Sequence, residues 1–392
     1  MIAAGLSFLA AGVWVYLLVG RGGFWLGRER DDTAARDEDA DAAPWPSVVA
    51  VIPARDEADM IAQSVGSLLG QDYRGRFTIV MVDDQSTDGT ASAASAAASA
   101  IGAGDRLRIV AGTPPPAGWT GKLWAMRQGL AALEAGDDAP EFVLFSDADI
   151  RYAPHSLTRL VTIARARRSV LTSLMVKLNC ESAAERWLTP AFVFFFQMLY
   201  PFAWVNDPAR RTGAAAGGCM LVSREALQAA GGLDMLRSAL IDDCALGRMM
   251  KRQGPVWLGL TKDVQSLRPY PAFADFRRMV VRSAFAELRY APLRLAGAIG
   301  GMALVYLAPP LFAVFSHGAA QLAGALAWLL MALALAPTLR FYGRPLASGF
   351  ALPAVAAIYV AFTVESAVEY WRGRGGYWKG RFQAPAREAG RA

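Results

Sequence analysis

The chain has 392 residues, of which 54% are hydrophobic and only 19% charged, with a formal net charge of +6 and a mean hydropathy of +0.26. Soluble domains are usually about a quarter charged, so part of this chain belongs in lipid, and disorder, collagen and a disulfide scaffold are excluded. Two histidines, His155 and His317, cannot build a multi-histidine zinc centre, and His155 lies beside no serine-elbow motif. Three cysteines, Cys180, Cys219 and Cys244, without a close-spaced pair read as reduced thiols of a cytosolic environment. Chemistry here must rest on carboxylates.

Residues 2–20 form an uncharged apolar stretch, long enough for a span of ~20 residues. A cleaved signal peptide would need a basic start and a small-residue cleavage site. The first charge is Arg21, after the stretch, so residues 1–21 read as a retained anchor. Arg21, Arg28 and Arg30 then place the next domain in the cytoplasm. Residues 22–46 are a charged, Ala-rich linker closed by Pro44-Trp45-Pro46.

From 47 to 268, short β-branched runs alternate with Ala-rich stretches. Strands are predicted at 47–52, 77–82, 107–111 and 142–145, and helices at 58–69, 89–100 and 122–135. This alternation predicts a parallel α/β sheet that binds ligands at its carboxyl edge. Residues 190–205 are apolar and aromatic but short for a span, and read as an interfacial or a buried helix. Arg277, Arg278, Arg282, Arg289 and Arg294 mark 269–292 and its border as a basic interfacial segment. No nucleic-acid-binding signature accompanies them, so the expected partner is the bilayer and no nucleic acid.

Residues 293–370 hold three apolar segments, 295–315, 319–336 and 349–367, expected as transmembrane helices. Pro309 and Pro310 are placed to kink the first, and Glu365 is an expensive group for the third. Three full spans would put the basic tail, 371–392, outside, whereas its arginines and lysine belong inside. Either one segment is re-entrant or interfacial, or the charge rule fails here.

Four acidic stations fall where α/β chemistry would place them, at strand ends and in loops. They are Ile52-Pro53-Ala54-Arg55-Asp56-Glu57, Val82-Asp83-Asp84-Gln85-Ser86-Thr87-Asp88-Gly89-Thr90, Ser146-Asp147-Ala148-Asp149, and Ile241-Asp242-Asp243. Each alone has a structural reading. Thr87 or Asp88 suits a helix cap, Asp147 and Asp149 a solvated loop, and Asp242-Asp243 the acidic first turn of a helix. In this order, together with Gly121-Lys122-x-x-Ala125, Gly217-Gly218-Cys219-Met220-Leu221 and Gly231-Gly232-Leu233-Asp234, they resemble glycosyltransferase family 2 over roughly residues 47–282.

That resemblance implies a GT-A (Rossmann-like) α/β nucleotide-sugar transferase domain, flanked here by N- and C-terminal transmembrane helices. It implies a nucleotide-sugar donor bound by Asp56, Glu57, Asp83, Asp84, Lys122, Asp147 and Arg282. Arg55 is a second cation able to offset diphosphate charge. A divalent cation, Mg²⁺ or Mn²⁺, is implied on Asp149 with Asp147. Asp243, supported by Asp242, is implied as the general base of an inverting transfer. An acceptor side is implied at Gly217, Gly218, Cys219 and Trp204. The residue types suit the chemistry. A hard cation neutralises a leaving diphosphate and prefers carboxylate oxygens, and inversion needs a carboxylate base with no covalent intermediate.

Processive relatives carry a Gln/Arg-x-x-Arg-Trp motif. The corresponding Met279-Val280-Val281-Arg282-Ser283 keeps only the arginine, which argues against a polysaccharide synthase. Arg282 then either faces the diphosphate or snorkels at the bilayer surface. Phe192, Phe194, Phe195, Phe196, Tyr200 and Trp204 suit either an interfacial slot for an amphipathic lipid or the packing of a buried helix.

The run Pro114-Pro115-Pro116-Ala117-Gly118-Trp119-Thr120-Gly121-Lys122-Leu123-Trp124-Ala125 and the stretch 277–290 are similar to the hopene-associated glycosyltransferases of bacterial hopanoid biosynthesis. This implies transfer of a single sugar to a hopanoid-type membrane lipid, at the inner membrane and on its cytoplasmic side. Carotenoid-acid glycosyltransferases are similar around 119–124. A carotenoid acid, a ceramide-like lipid or a polyprenyl phosphate is therefore the alternative acceptor. A non-catalytic lipid-binding scaffold is the alternative of another class.

Overall fold

The computed structural model describes residues 2–34, 44–134 and 139–383. Parts of the expected linker (35–43) and of the basic tail (384–392, with Arg387 and Arg391), and Ala135 of an expected helix, lie outside the described residues. The chain divides into two compact units: residues 29–179 with 204–269, and residues 1–28 with 180–203 and 270–392.

The first of these is built on an eight-stranded sheet. Its strands are β1 (Val48–Ala54), β2 (Phe77–Asp83), β3 (Leu107–Ala111), β4 (Phe142–Ser146), β5 (Ile150–Tyr152), β6 (Leu171–Lys177), β7 (Cys219–Ser223) and β8 (Val256–Ser266), in the order β3-β2-β1-β4-β7-β6-β8-β5. β1 is buried along its whole length, as a strand covered on both faces must be. Pro53, which has no N–H to give, falls beyond Val51, where the β1–β4 pairing stops.

Helices Ala58–Leu69, Thr90–Ala100 and Gly121–Glu134 connect the parallel set β1 to β4, close to the predicted bounds. Ile61, Val65, Leu68 and Leu69 form the buried stripe of the first helix. Gly129 lets the third lie flat on the sheet, because a Cβ there would stand 2.5 Å from Val51 Cγ1.

The four strands predicted from the sequence run parallel as expected, and the strands beyond them make the whole sheet mixed. β7 runs antiparallel between β4 and β6, and β5 antiparallel beside β8. The reason is topological. β6 leaves the sheet at Lys177 on the carboxyl edge, and the chain rejoins it at Cys219, opposite Ser146, on that same edge. A strand starting there has only the reverse direction open to it. The turn before β7 therefore joins the carboxyl ends of β1, β2, β4 and β8, on the edge where α/β sheets bind ligands.

The other unit is helical. Among the described residues, four helices are long and apolar enough to cross a membrane: Ile2–Val19, Pro292–Phe315, Ala319–Phe341 and Leu346–Trp371. Trp14, Phe194, Phe276, Tyr306, Met331 and Tyr359 meet in its core. The aromatic segment expected at 190–205 starts earlier, as helix Ala183–Leu199. A capping box of Ser182 and Glu185 opens it, and Pro190 lies inside it. Within Pro292–Phe315, Ala303–Leu307 form a π turn just before the two prolines. Pro309 has no N–H for the carbonyl of Val305, and the indole N–H of buried Trp14 donates to that oxygen instead, at 2.8 Å.

The last helix begins beside the middle of its neighbour. Ala319–Phe341 pairs antiparallel with the helix before it, Gln321 Nε2 donating to Ala313 O at 3.2 Å. Residues 349–350 then lie against its middle. Trp328 Nε1 donates to Phe350 O at 3.0 Å, and a Cβ on Gly349 would stand 2.8 Å from the carbonyl oxygen of Ala332. From that height Leu352–Trp371 runs to the end where Pro292–Met302 begins. There Ser366 Oγ donates to Val281 O at 2.6 Å and accepts from Phe285 N at 3.0 Å, and Tyr370 stacks on Tyr290 at 4.4 Å. Glu365 pairs with Arg277 at 2.8 Å, which relieves the cost of a carboxylate in an apolar helix.

Candidate active site

The first two acidic stations are laced together by their loops. Arg55 donates to Asp84 O at 2.6 Å, and fully buried Asp84 donates its N–H to Ala54 O at 2.8 Å. Asp56 adopts a left-handed φ of 48°, uncommon for a residue with a Cβ. In that conformation its Oδ1 accepts from Thr87 N at 2.9 Å while its own N–H donates to Ser86 Oγ at 3.0 Å. Asp83 Oδ1 accepts from Ser86 N at 3.0 Å. Asp88 takes the capping role: Oδ1 accepts from Thr90 N at 3.0 Å and Oδ2 from Ala58 N at 2.9 Å. One carboxylate thus ties the starts of two helices.

Basic side chains join the remaining stations. Lys122, in the first turn of Gly121–Glu134, reaches Asp147 Oδ1 at 2.8 Å and Asp242 Oδ2 at 3.0 Å. Burial favours its neutral amine, but Asp147 and Asp242 outweigh that and hold Lys122 charged, well above the usual lysine range. Arg268, just past β8, donates from Nε to Asp149 Oδ2 at 2.7 Å and from Nη2 to both oxygens of Glu57 at 2.6 Å. The pair Asp147 and Asp149 is therefore divided between two resident cations.

Asp243 lies in the first turn of helix Asp242–Met250. Its Oδ2 accepts from Gly217 N at 3.0 Å and its Oδ1 from Cys244 N at 2.7 Å. Burial, and then the neighbouring Asp242, push its pKa up to about 6, while Lys122 and the two N–H donors limit the rise. A carboxylate at that value is ionised near neutrality and basic enough to take a proton. Two close approaches make room for it. A Cβ on Gly217 would stand 3.3 Å from both Asp243 Oδ2 and Lys122 Nζ, and one on Gly247 would stand 2.3 Å from the backbone carbon of Ala214.

Among the described residues no three His, Cys, Asp or Glu side chains converge into a ready-made metal cage. Asp147 and Asp149 offer two carboxylates, which is the set that Mg²⁺ takes when substrate phosphates and water complete its shell. The residues present fit a divalent cation of that kind.

The sequence model of the family described as glycosyltransferase like family 2 matches residues 46–263, more than half of the chain. The chain belongs to this glycosyltransferase family 2. No curated protein matches it significantly. Among solved structures, the mannosyltransferase PcManGT from Pyrobaculum calidifontis, in complex with GDP-Man and Mn²⁺, is 19% identical over 94% of this chain and 98% of that one, with a TM-score of 0.55. At that identity the likeness establishes the fold, which is GT-A. Mannosyl-3-phosphoglycerate synthase from Rubrobacter xylanophilus aligns more loosely, at 17% identity over 68% of this chain and 82% of that one, with a TM-score of 0.42.

The family fold gathers Asp56, Glu57, Asp83, Asp84, Lys122, Asp147, Asp149, Gly217, Asp242 and Asp243 along the carboxyl edge of its sheet. Gly218 accepts from the Tyr152 hydroxyl at 3.2 Å through its carbonyl. Cys219 is wholly buried in β7, and burial pushes its thiol up to about 12. Trp204 carries the Arg210 guanidinium 4.8 Å from its ring centroid. Arg282 belongs to the helical unit, at the C-terminal end of helix Phe273–Val281. In that unit Phe194 is fully buried, Phe195 packs edge-on against Tyr306 and Tyr359, and the Tyr200 hydroxyl bonds Glu287. Sequence reasoning missed Arg268. Its one signal is its place at the end of β8, whose pairing with β5 sets Ser266 opposite Ile150.

Proposed function

We propose that the chain is a membrane-bound, metal-dependent, inverting glycosyltransferase that moves one sugar from a nucleotide-sugar donor to a hopanoid-type lipid. The observation that carries the transfer chemistry is Asp243, a base with its pKa raised to about 6, fixed by two N–H donors and linked through Asp242 and Lys122 to Asp147. In this reading Asp243 takes the proton of the acceptor hydroxyl as that oxygen bonds to the anomeric carbon. The bond to the diphosphate breaks on the opposite face, and the diphosphate leaves as an anion.

Asp149 and Asp147 would hold Mg²⁺ or Mn²⁺, which supplies charge neutralisation to the leaving group. Asp56, Glu57, Asp83, Asp84 and Lys122 serve the donor, and Gly217, Gly218, Cys219 and Trp204 the acceptor side. A fold relative solved with GDP-Man and Mn²⁺ supports donor and cation alike.

The apolar helices support a lipid acceptor, and residues 114–125 support a hopanoid. Mass spectrometry of lipids from cells expressing the protein, compared with cells expressing Asp243→Asn, tests both. The expected result is a hexose- or hexosamine-sized mass on hopanoids that the variant lacks. A sugar missing from a carotenoid acid, a ceramide-like lipid or a polyprenyl phosphate would move the acceptor. Unchanged lipids would leave a lipid-binding scaffold.

We place the transferase unit on the cytoplasmic side of a bacterial inner membrane, with the basic tail on the same side. Arg21 donates to Met198 O at 2.7 Å, and Tyr200 beyond it bonds Glu287, so the end of the first helix lies on the side from which Pro292–Met302 sets out. Leu352–Trp371 begins at mid-height of its neighbour and finishes at that same end. Counted together with residues 342–351 as a re-entrant segment, it leaves Arg372, Arg374, Lys379 and Arg381 on the same side as Arg21, in agreement with the charge rule. A reporter fused after Ala392 is expected to read the cytoplasm. A periplasmic signal would restore three full spans.

A further inference from the structure

We propose that Arg268 is a resident counter-cation of the donor site, so that metal binding is an exchange in which Asp149 passes from the guanidinium to the divalent cation. The inference rests on the reading of Asp149 as a metal ligand.

The side chains of Asp149 and Glu57 are only 14% and 11% exposed. Two negative charges so little hydrated are costly to hold together without a cation between them. Arg268 supplies it with a fork, Nε on one carboxylate and Nη2 on the other. An ammonium, a compact point charge, lacks that planar fork. The position is built into the fold. Leu267 N donates to Asp149 O at 2.7 Å, Arg268 N donates to Ser266 Oγ at 3.3 Å, and Asn179 Nδ2 donates to Arg268 O at 2.8 Å. The backbone of Arg268 is thereby held against the Asp147–Asp149 turn.

A hard divalent cation takes a carboxylate oxygen at about 2.1 Å. It repels a guanidinium held on the same oxygen, so the two positive groups compete for Asp149. Competition is reciprocal: whatever Arg268 gains from Asp149 is subtracted from the affinity of the cation. The arginine thus keeps two half-buried carboxylates compatible with folding before metal arrives, at the cost of a weaker metal site. It is a positioning residue in this scheme, acting through Asp149.

The test titrates the full chain in detergent micelles with Mn²⁺ alone, reading free Mn²⁺ by electron paramagnetic resonance, so no turnover is needed. Arg268→Gln is expected to bind Mn²⁺ about tenfold more tightly than the unaltered protein. Arg268→Lys, which keeps the charge and loses the fork, is expected to fall between them and carries the test should the glutamine variant fail to fold. Equal or weaker binding in the arginine variants, with Asp149→Asn weakening Mn²⁺ in every background, overturns the exchange and leaves the metal reading standing. Mn²⁺ binding that is indifferent to Asp149→Asn overturns the metal reading itself, and the exchange with it.

Discussion

Asp243→Asn is expected to lower turnover by about a hundred- to ten-thousandfold while leaving nucleotide affinity nearly unchanged, because a general base acts on the acceptor and not on the donor. Initial rates with a lipid acceptor, set beside nucleotide binding by calorimetry, separate the two effects. The amide keeps one of the two hydrogen bonds that Asp243 accepts from Gly217 N and Cys244 N, so the fold should survive. Equal losses of binding and turnover would instead point to a role in the donor site.

The same residue sets a pH dependence whose sign is fixed by its surroundings. Burial and Asp242 disfavour the charged form and push the pKa of Asp243 up to about 6. As pH falls through that value the carboxylate takes its own proton and can no longer accept one from the acceptor. kcat/KM is therefore expected to decline on the acid side of about 6. Asp242→Asn removes the second of the two causes and is expected to move that limb to lower pH. A profile that stays flat across this range would argue that another group serves as the base.

The second large effect is expected at Asp149. Asp149→Ala should reduce metal-dependent nucleotide binding by about a hundredfold or more, since loss of groups that merely support a ligand already costs 10- to 100-fold. Calorimetry with and without a chelator checks this. If the unaltered protein binds nucleotide equally well in the presence of chelator, the cation has no part in holding the donor. The substitution also leaves Arg268 with Glu57 alone among the two carboxylates that it bridges.

Much of the fold and site is legible from residue order, and the reason is that it is local. Val48–Ala54, Phe77–Asp83 and their connecting helices are written in runs of β-branched residues and in i, i+4 stripes such as Ile61 and Val65. Aspartates at the ends of such strands must lie at the carboxyl edge of a parallel sheet, so spacing alone places Asp84, Asp147 and Asp149. Pro309 likewise announces an interruption, because a proline beyond the first turn of a helix leaves the carbonyl four residues before it without its N–H partner.

What residue order does not determine are the partners far apart along the chain. The direction of β7 depends on where the chain rejoins the sheet at Cys219, and no periodicity within Cys219–Ser223 records that. The ammonium of Lys122 bridges Asp147 and Asp242, a contact created only when Gly217 and Gly247 let the helix of Asp243 approach. Arg268 is one more arginine in the sequence until β8 pairs with β5 and carries it to Asp149. The segment 346–371 has the length and hydropathy of a span, but Trp328 and Ala332 meet its beginning halfway along their own helix. Length, charge and hydropathy are properties of a segment, so sequence determines them. Direction, ion pairing and depth are relations between segments, and only the packed chain decides those.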